Sequence, residues 1–372
     1  MSSLRALRVV VTVVILLSLP GVGPAAAVGA APAAGWGAPQ RVLPGAWTDI
    51  SAAIDSQGKA HVVAAGAAGV WYATDRTGGW ASKRILHHRS GSEWRGVSLA
   101  LDEHDRITIA LAEGFPSEFG MVPGRIWSIT DKGRPRGTFA APVAVTPTGS
   151  TDPSLKTPGG HVDLARTGDI CVDVCEGALS RVWYQTDGPT GPIRRRLPGD
   201  ASSPDLRVDA AGRPRLAYVV RGATNARLVL ASAGSRTGPF TTETVATQAG
   251  DLTPRLILDA AGRPQVAWAR DPLDVDPPGV FLAQRAGGAW TVRSIGPGSV
   301  VAITVDAADR VHLAIGGGAG VREVLVRSTL ATTPIDGTGP VTDVELRYPS
   351  AGRALAAYVR TYPDAGVYVT RR

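Results

Sequence analysis

The sequence predicts an all-β fold made of repeated units, and two observations support this. The first is an internal repeat, in which the nine residues 206–214, Leu-Arg-Val-Asp-Ala-Ala-Gly-Arg-Pro, return at 256–264 as Leu-Ile-Leu-Asp-Ala-Ala-Gly-Arg-Pro. The second is its period, because Asp209, Asp259 and Asp306 follow one another at intervals of 50 and 47 residues. A fixed period of this size is typical of solenoids, propellers and arrays.

Each repeat is predicted to form four short strands. In the fourth repeat these are residues 205–208, 215–220, 227–231 and 240–245, with a tight turn at Asp209–Gly212 between the first two. Asp bonds nearby backbone in such turns, and Gly accepts a positive φ. Many of the strands are apolar on both faces, as expected for propeller blades that pack face to face around an axis.

Seven repeats can be counted, and their first strands start near Trp47, Trp94, Thr151, Pro204, Thr253, Val300 and Val341. The last repeat ends after its third strand, at 366–370. Residues 35–42, Gly-Trp-Gly-Ala-Pro-Gln-Arg-Val, match the fourth strands of the other repeats and supply the missing one. We therefore predict a seven-bladed β-propeller, a single domain over 31–372, whose ring is closed by an N-terminal strand that completes the last blade.

Residues 1–30 have the pattern of a secretory signal peptide. Arg5 and Arg8 precede the apolar run 9–19, and small residues at 25–27 suit a cleavage site near Ala27, with a second possible site near Ala30. The apolar run is too short to span a bilayer. We expect a secreted, extracellular protein without a membrane span.

Only two cysteines occur, Cys171 and Cys175, and in an oxidising compartment we expect them to form a disulfide. The formal net charge is +7, and 39 basic residues are interspersed with 32 acidic ones. A nucleic-acid interface would concentrate its basic residues with aromatic residues between them. We therefore expect no nucleic-acid partner. We also expect no metal site and no cofactor.

The segments between third and fourth strands carry a degenerate box. Asp75 and Trp80 in the first blade, Asp131 and Gly133 in the second, and Asp187 in the third fit parts of Ser-x-Asp-x-Gly-x-Thr-Trp. This resembles the Asp-box of sialidase-like propellers. In that family the box is a structural turn away from the catalytic face, so the resemblance implies a fold and leaves activity open.

Four arginines are predicted to stand over the central funnel, on the face formed by the longest loops. Arg270 and Arg360 stand at the eighth residue after the turn glycine or its equivalent in their repeats, and Arg166 stands at the same point when the third repeat is aligned with the first. Arg221 lies one residue past this point in the fourth repeat. Guanidinium groups in such an arrangement suit carboxylates, sulfates and phosphates. The alternative is that each arginine ends its strand and pairs with a local acid.

The resemblance implies further candidates for a sialidase-like hydrolase. Such enzymes bind the substrate carboxylate with an Arg cluster, here Arg166, Arg270 and Arg360, and use a Tyr nucleophile with a Glu partner and an Asp acid. Tyr362 would be the nucleophile, Glu113 or Glu118 its partner, and Asp49 the acid. No motif of the family's catalytic residues is matched at these positions.

Trp47 and Trp94 start first strands at the same rim. They either stack on sugar rings or cap the packing between blades. The reading that we adopt is an exported, monomeric, non-catalytic binding module for a glycan, a cell-envelope polymer or another exported protein, including anionic ones. A sialidase-like glycoside hydrolase is the alternative, and a purely structural interaction domain is a third possibility.

Overall fold

The fold is a closed ring of seven four-stranded antiparallel sheets, as predicted. The computed structural model describes residues 35–87, 90–117, 120–168, 180–188, 190–270, 279–349 and 353–372. The predicted signal peptide and both cysteines lie outside these residues, so the cleavage site and the disulfide stay predictions. No helix in the described part of the chain is long and apolar enough to cross a membrane.

Blades one to six each use four consecutive strands, from the channel outwards. Blade one has β2 (Asp49–Ile54), β3 (Ala60–Gly66), β4 (Gly69–Thr74) and β5 (Ala81–Leu86). Blade two has β6 (Glu93–Leu101), β7 (Ile107–Ser117), β8 (Gly120–Thr130) and β9 (Val143–Ala144). Blade three has β10 (Thr151–Lys156), β11 (Asp163–Gly168), β12 (Arg181–Thr186) and β13 (Ile193–Arg196), with a 3-10 turn at Pro158–Gly160.

The remaining blades repeat this order. Blade four has β14 (Ala201–Val208), β15 (Pro214–Arg221), β16 (Ala226–Ala233) and β17 (Phe240–Gln248). Blade five has β18 (Leu252–Leu258), β19 (Pro264–Arg270), β20 (Val280–Ala286) and β21 (Ala289–Gly296). Blade six has β22 (Val300–Val305), β23 (Val311–Gly317), β24 (Gly320–Val326) and β25 (Leu330–Asp336). Blade seven has β26 (Val341–Arg347), β27 (Leu355–Arg360) and β28 (Gly366–Arg371), completed by β1 (Gln40–Pro44).

The turn that sets the period has the predicted chemistry. The Asp209 carboxylate accepts hydrogen bonds from the backbone N–H groups of Ala211 and Arg213 at 3.0 and 2.9 Å. Gly212 follows with a φ of 74°, which a side chain would disfavour. Asp259 makes the same bonds to residues 261 and 263. The repeat is therefore a turn between the first two strands of a blade.

The Asp-box residues also act as structural turns. The Asp75 carboxylate accepts the backbone N–H of Ala60, and Asp131 accepts those of Ile107 and Gly137, each at 2.8 Å. These bonds fasten the segment after the third strand to the start of the second strand. Such a role fits the fold equally well in any propeller, so the sialidase-like family stays a resemblance.

The N-terminal strand closes the ring as predicted. β1 pairs antiparallel with β28, from Gln40 opposite Val369 to Pro44 opposite Gly366. Ahead of β1, the Trp36 indole is buried, and its N–H donates a 3.0 Å hydrogen bond to the Glu323 carboxylate of blade six. The first described residues thus hold together the last two blades.

The innermost strands are linked to each other by side chains. The backbone N–H of Leu99 donates to the Ser51 hydroxyl oxygen at 3.0 Å, and that of Leu155 donates to Ser98 at 2.9 Å. The equivalent N–H groups of blades four and five donate to the Ser154 hydroxyl and the Asp205 carboxylate, respectively. At the seam between blades seven and one, the N–H of Ile50 donates to Asp343 at 2.8 Å. Hydrogen bonds from polar side chains therefore connect neighbouring blades along the channel.

Candidate functional site

The channel is lined by alternate residues of the innermost strands, which form three layers. We name these layers by their distance from the turn Asp of each blade, or from the residue in its place. The residue six positions before it belongs to the loop layer, the residue four positions before it to the middle layer, and the residue two positions before it to the turn layer. The loop layer includes Asp49, Gly96, Asp152, Ser203 and Thr253; the middle layer is Ser51, Ser98, Ser154, Asp205, Arg255, Ala302 and Glu345; the turn layer is Ala53, Ala100, Lys156, Arg207, Ile257, Thr304 and Arg347.

The loop layer is acidic. Asp49 accepts the backbone N–H of Val97 at 2.5 Å, and its carboxyl group is also hydrogen-bonded to that of Asp343. Burial and the neighbouring Asp343 carboxylate raise the pKa of Asp49 well above its ordinary value. Burial likewise raises the pKa of Asp152. Both carboxyl groups at this end of the channel are therefore shifted towards their protonated forms.

The middle layer places a guanidinium group among carboxylates. Burial alone would lower the pKa of Arg255, but the negative charges of Asp343, Asp205 and Glu345 outweigh it and raise this pKa. The pKa of Asp205 is lowered although burial opposes this, mainly because the positive charges of Arg207 and Lys156 act on it. The single guanidinium of this layer is thus stabilised in its charged form by the carboxylates around it.

The turn layer is cationic. An Arg207 Nη atom lies 2.9 Å from the Asp205 carboxylate, and an Arg347 Nη atom lies 2.7 Å from Glu345. Lys156 Nζ donates a 2.8 Å hydrogen bond to the carbonyl of Leu155. Burial, together with the charges of Arg207 and Arg347, lowers the pKa of Lys156 to about 7.

Two cavities meet at the turn layer. The larger, of about 860 Å³, opens at the end of the channel where the Asp-Ala-Ala-Gly turns lie, and Ala210, Ala260 and Tyr348 are among its lining residues. The smaller, of about 230 Å³, includes the loop and middle layers. Lys156, Arg207 and Arg347 line both cavities. The larger volume lies within the range of small-molecule binding sites in proteins.

The predicted arginines have separate partners. Arg166 is buried in β11, where a guanidinium N–H donates to the Ser150 hydroxyl at 2.9 Å. Arg360 forms an ion pair with Asp336 and stacks on the Tyr368 ring, with 3.8 Å from its guanidinium carbon to the ring centroid. The Arg270 guanidinium lies over Phe281 at 5.2 Å. The acid that pairs with Arg360 is Asp336, which lies in the neighbouring blade six.

Arg221 acts electrostatically on a residue of the channel. It is exposed at the end of β15, and its positive charge acts to lower the pKa of Asp152 in the loop layer, against the larger effect of burial. Residues 118–119, 169–179 and 271–278 of the long loops lie outside the described residues. These include Glu118. The convergence of the loops over the funnel therefore stays a prediction.

The predicted hydrolase residues differ in their solvent exposure and in their location. The exposed fraction of Tyr362 is 70%, whereas that of Glu113 is 6%. The Glu113 carboxylate accepts a 3.0 Å hydrogen bond from the indole N–H of Trp127. Asp49 faces the smaller cavity in the loop layer. Of the three, Asp49 alone lines either channel cavity.

Trp47 and Trp94 pack between blades. Their exposed fractions are 6% and 1%. The Trp47 ring contacts Trp71 edge-on at a centroid distance of 6.4 Å, and the Trp94 indole N–H donates to the carbonyl of His87 at 3.0 Å. Their ring faces are therefore covered by protein, which corresponds to the packing alternative and contradicts sugar stacking at these two positions.

The channel layers were missed because the count ran forward from the turn glycine. Lys156, Arg207 and Arg347 all stand two residues before the turn Asp or its equivalent. Alternate residues of a strand share a face, so this position places the three side chains in one layer of the channel. Among the described residues, no cluster of three or more His, Cys, Asp or Glu side chains is arranged to hold a metal ion.

Asp49→Asn is expected to stabilise the protein, increasingly so with rising pH. The folded protein keeps a proton on Asp49 that the unfolded chain releases above its ordinary pKa of 3.8, so wild-type stability falls as the pH rises through this window. Asparagine cannot ionise, and its oxygen can still accept the Val97 N–H. Urea unfolding at pH 5 and pH 8 should show that the variant's stability advantage over wild type is larger at pH 8.

Asp209→Asn is the matched control for this measurement. The pKa of Asp209 is lowered, although burial opposes this, because backbone and side-chain groups of Arg213 bond its carboxylate. Its ionised form therefore contributes stability that is present above the ordinary pKa and lost as the pH falls, so this variant should be less stable than wild type at pH 8. Equal and pH-independent effects in both variants would contradict the assignment of the Asp49 proton.

Comparisons with known proteins show propeller folds of low sequence identity. No family model matches the sequence. No curated protein matches it either. The polysaccharide lyase Uly1 is similar with a TM-score of 0.55 at 8% identity, covering 86% of this chain and 88% of that chain. A protein of unknown function from Dyadobacter fermentans DSM 18053 has a TM-score of 0.53 at 15% identity, with 77% and 96% covered.

A third similar structure is a PL25 ulvan lyase bound to -[GlcA(1-4)Rha3S]-. Its TM-score is 0.50 at 13% identity, and the match covers 66% of each chain. At these identities the likeness establishes the fold alone, because propellers carry unrelated functions on one scaffold. The chain is thus a seven-bladed β-propeller similar in fold to polysaccharide lyases.

Proposed function

We propose that this protein is an exported, non-catalytic binding module that holds an acidic glycan segment in the cavity at the turn end of its channel. The observation that carries the proposal is this cavity of about 860 Å³, with the side chains of Arg207, Arg347 and Lys156 at its inner end. Secretion by way of the predicted signal peptide would bring the protein to extracellular polymers. The proposed site lies at the opposite end of the channel from the funnel face that the sequence suggested.

The lining of the cavity suits a sugar chain. Ile54, Leu101 and Val305 provide apolar surface, while the turns at 209–213 and 259–262 bring backbone polar groups to the opening. Binding sites combine such apolar walls with a few placed polar groups. Arginine forks and a lysine at the inner end favour carboxylate or sulfate groups on the ligand.

Two of the similar folds support a glycan as the ligand class. Uly1 is a polysaccharide lyase, and the PL25 ulvan lyase was solved with a glycan that contains glucuronate. Their overall likeness to this chain does not transfer a substrate. It does make glycan interaction a reasonable expectation for a propeller with a cationic cavity in its channel.

Filling the opening tests the location of the site. Ala210 is exposed and lines the cavity, so Ala210→Trp should reduce affinity for acidic oligosaccharides at least tenfold. Ala307 follows the turn Asp of blade six as Ala210 follows that of blade four, yet it is exposed and does not line the cavity. Ala307→Trp is therefore the matched control and should bind like wild type.

A glycan array with acidic and neutral members, followed by calorimetry on the hits, provides the measurement. Binding of acidic members should weaken with added salt, since screening acts on charge pairs that water reaches. A clean array would contradict the glycan proposal. Binding that survives in Ala210→Trp would contradict the cavity as its place.

A glycoside hydrolase is the second candidate, and Asp49 is the observation in its favour. A carboxyl group with a raised pKa is suited to act as a general acid, and Asp49 has such a shift and faces the smaller cavity. Turnover of fluorogenic glycosides that is lost in Asp49→Asn, with the fold stabilised, would favour this candidate. Turnover lost in Tyr362→Phe would favour its sialidase-like form. We expect no turnover.

A further inference from the structure

Lys156 differs from the other cations of the turn layer in its surroundings. Arg207 is paired with Asp205, and Arg347 with Glu345, each on its own strand. Lys156 forms no ion pair within the described part of the chain, and the hydrogen bond recorded for its Nζ goes to the backbone carbonyl of Leu155. The side chain lines both cavities. A ligand entering either cavity therefore reaches an amine that no carboxylate occupies.

The groups facing Lys156 favour its neutral form. Beyond burial, the positive charges of Arg207 on β14 and Arg347 on β26 disfavour a third positive charge, and they outweigh the carboxylates of Asp205 and Glu345. The pKa of about 7 leaves a substantial neutral fraction at physiological pH. A neutral lysine amine carries the lone pair that nucleophilic attack requires.

We propose that Lys156 is a carbonyl-capturing residue, which forms an imine with an anionic aldehyde that enters through the turn-end cavity and is held there by Arg207 and Arg347. The Nζ lone pair attacks the carbonyl carbon, and one Nζ proton is transferred to the carbonyl oxygen to give a neutral carbinolamine. Loss of water, with the second Nζ proton, then forms the C=N bond. No oxidant or reductant is required. This proposal goes beyond glycan binding and does not depend on it.

The other three lysines provide internal controls. The chain contains Lys59, Lys83, Lys132 and Lys156. Lys83 and Lys132 are exposed, Lys59 is half-exposed in a surface turn, and none of these three lines either channel cavity. Selective capture at one site is therefore measurable within one protein.

The test uses pyridoxal 5′-phosphate as the aldehyde and borohydride to reduce the imine. Peptide mapping by mass spectrometry then gives the labelling rate at each lysine of the folded full chain. At pH 7 we expect Lys156 to be labelled at least tenfold faster than each of the other three, with half of its maximal rate near pH 7. Pyridoxal, which lacks the phosphate, should label Lys156 more slowly.

Two variants of Lys156 distinguish loss of imine formation from loss of the fold. Lys156→Arg and Lys156→Met should abolish the fast labelling while leaving the slow labelling of Lys83 and Lys132 unchanged, and circular dichroism should show the wild-type fold. Equal rates at all four lysines, an unlabelled Lys156 in the folded protein, or equal rates with pyridoxal and its phosphate would each overturn the proposal. The glycan experiments above do not depend on these outcomes.

Discussion

A chain that starts at Ala46, and so lacks β1, is expected to lose its folded monomeric state. Without β1 the outer edge of β28 is unpaired, and open edges of this kind pair with other chains. The deletion also removes the buried side chains of Trp36, Val42 and Leu43. Each contributes about 1.5–3 kcal/mol through burial, so the loss is on the order of 5 kcal/mol, a large part of a typical protein's stability.

A chain that starts at Gly35 is the matched control, because it keeps Trp36 and β1. Size-exclusion chromatography and thermal unfolding of both chains provide the measurement. We expect the longer chain to elute as a monomer with a cooperative transition, and the shorter one to aggregate or unfold at a much lower temperature. Equal melting temperatures for the two would show that β1 is not needed to close the ring.

Glu323→Ala is expected to have the second largest effect. The carboxylate is 1% exposed and accepts hydrogen bonds from the Trp36 indole at 3.0 Å and from an Arg372 guanidinium at 2.7 Å. It also bonds His312 at 2.7 Å and the hydroxyl of Tyr348. Alanine would leave the buried Trp36 indole N–H and the buried His312 Nδ1 without this partner, and it would remove the ion pair to the partly exposed Arg372, so we expect a loss of about 3–5 kcal/mol.

Glu243→Ala provides the comparison. Glu243 pairs with Arg285 at 2.9 Å, and both side chains are about a third exposed, at 34% and 38%. Solvent-exposed pairs of this kind contribute less than about 1 kcal/mol. Urea unfolding of both variants at pH 7 gives the two losses. Similar small losses would show that Glu323 does not hold the blades together.

The Glu323 effect should also depend on pH. Burial opposes ionisation of this carboxyl, but the bonds from His312, Tyr348 and Trp36 outweigh it and lower its pKa below the ordinary 4.5. A lowered pKa contributes stability above the unfolded value that is lost as the pH falls through the folded one. The difference between wild type and Glu323→Ala should therefore shrink below pH 4.5.

The sequence predicted the parts of the fold that short-range chemistry determines. Asp209 and Gly212 specify a turn locally, so the blade period could be read directly from the chain. The N-terminal strand was found because Trp36 stands where Trp80 and Trp290 stand near other fourth strands. In blade six, β25 forms although Pro334 lies within it, at the outer edge of the sheet, where a missing N–H does not break the ladder.

The site was harder to predict because its residues are far apart in sequence. Lys156, Arg207 and Arg347 come together only when the ring closes, and blades three and seven have Pro158 and Pro349 in place of the turn Asp from which these positions are counted. Arg360 shows a second difficulty, because its ion-pair partner Asp336 comes from the neighbouring blade. Spacing alone does not reveal which charges a neighbouring blade has already paired.

The pairing of β1 with β28 has a consequence for the order of the blades along the chain. The Gly37 N–H donates to the Arg371 carbonyl at 2.8 Å, so the two ends of the described chain lie side by side. A short peptide could join them, and new ends could then be cut in a surface turn between other strands. The ring does not distinguish a first blade from a last one, and circular permutation would leave the channel and its charges in place.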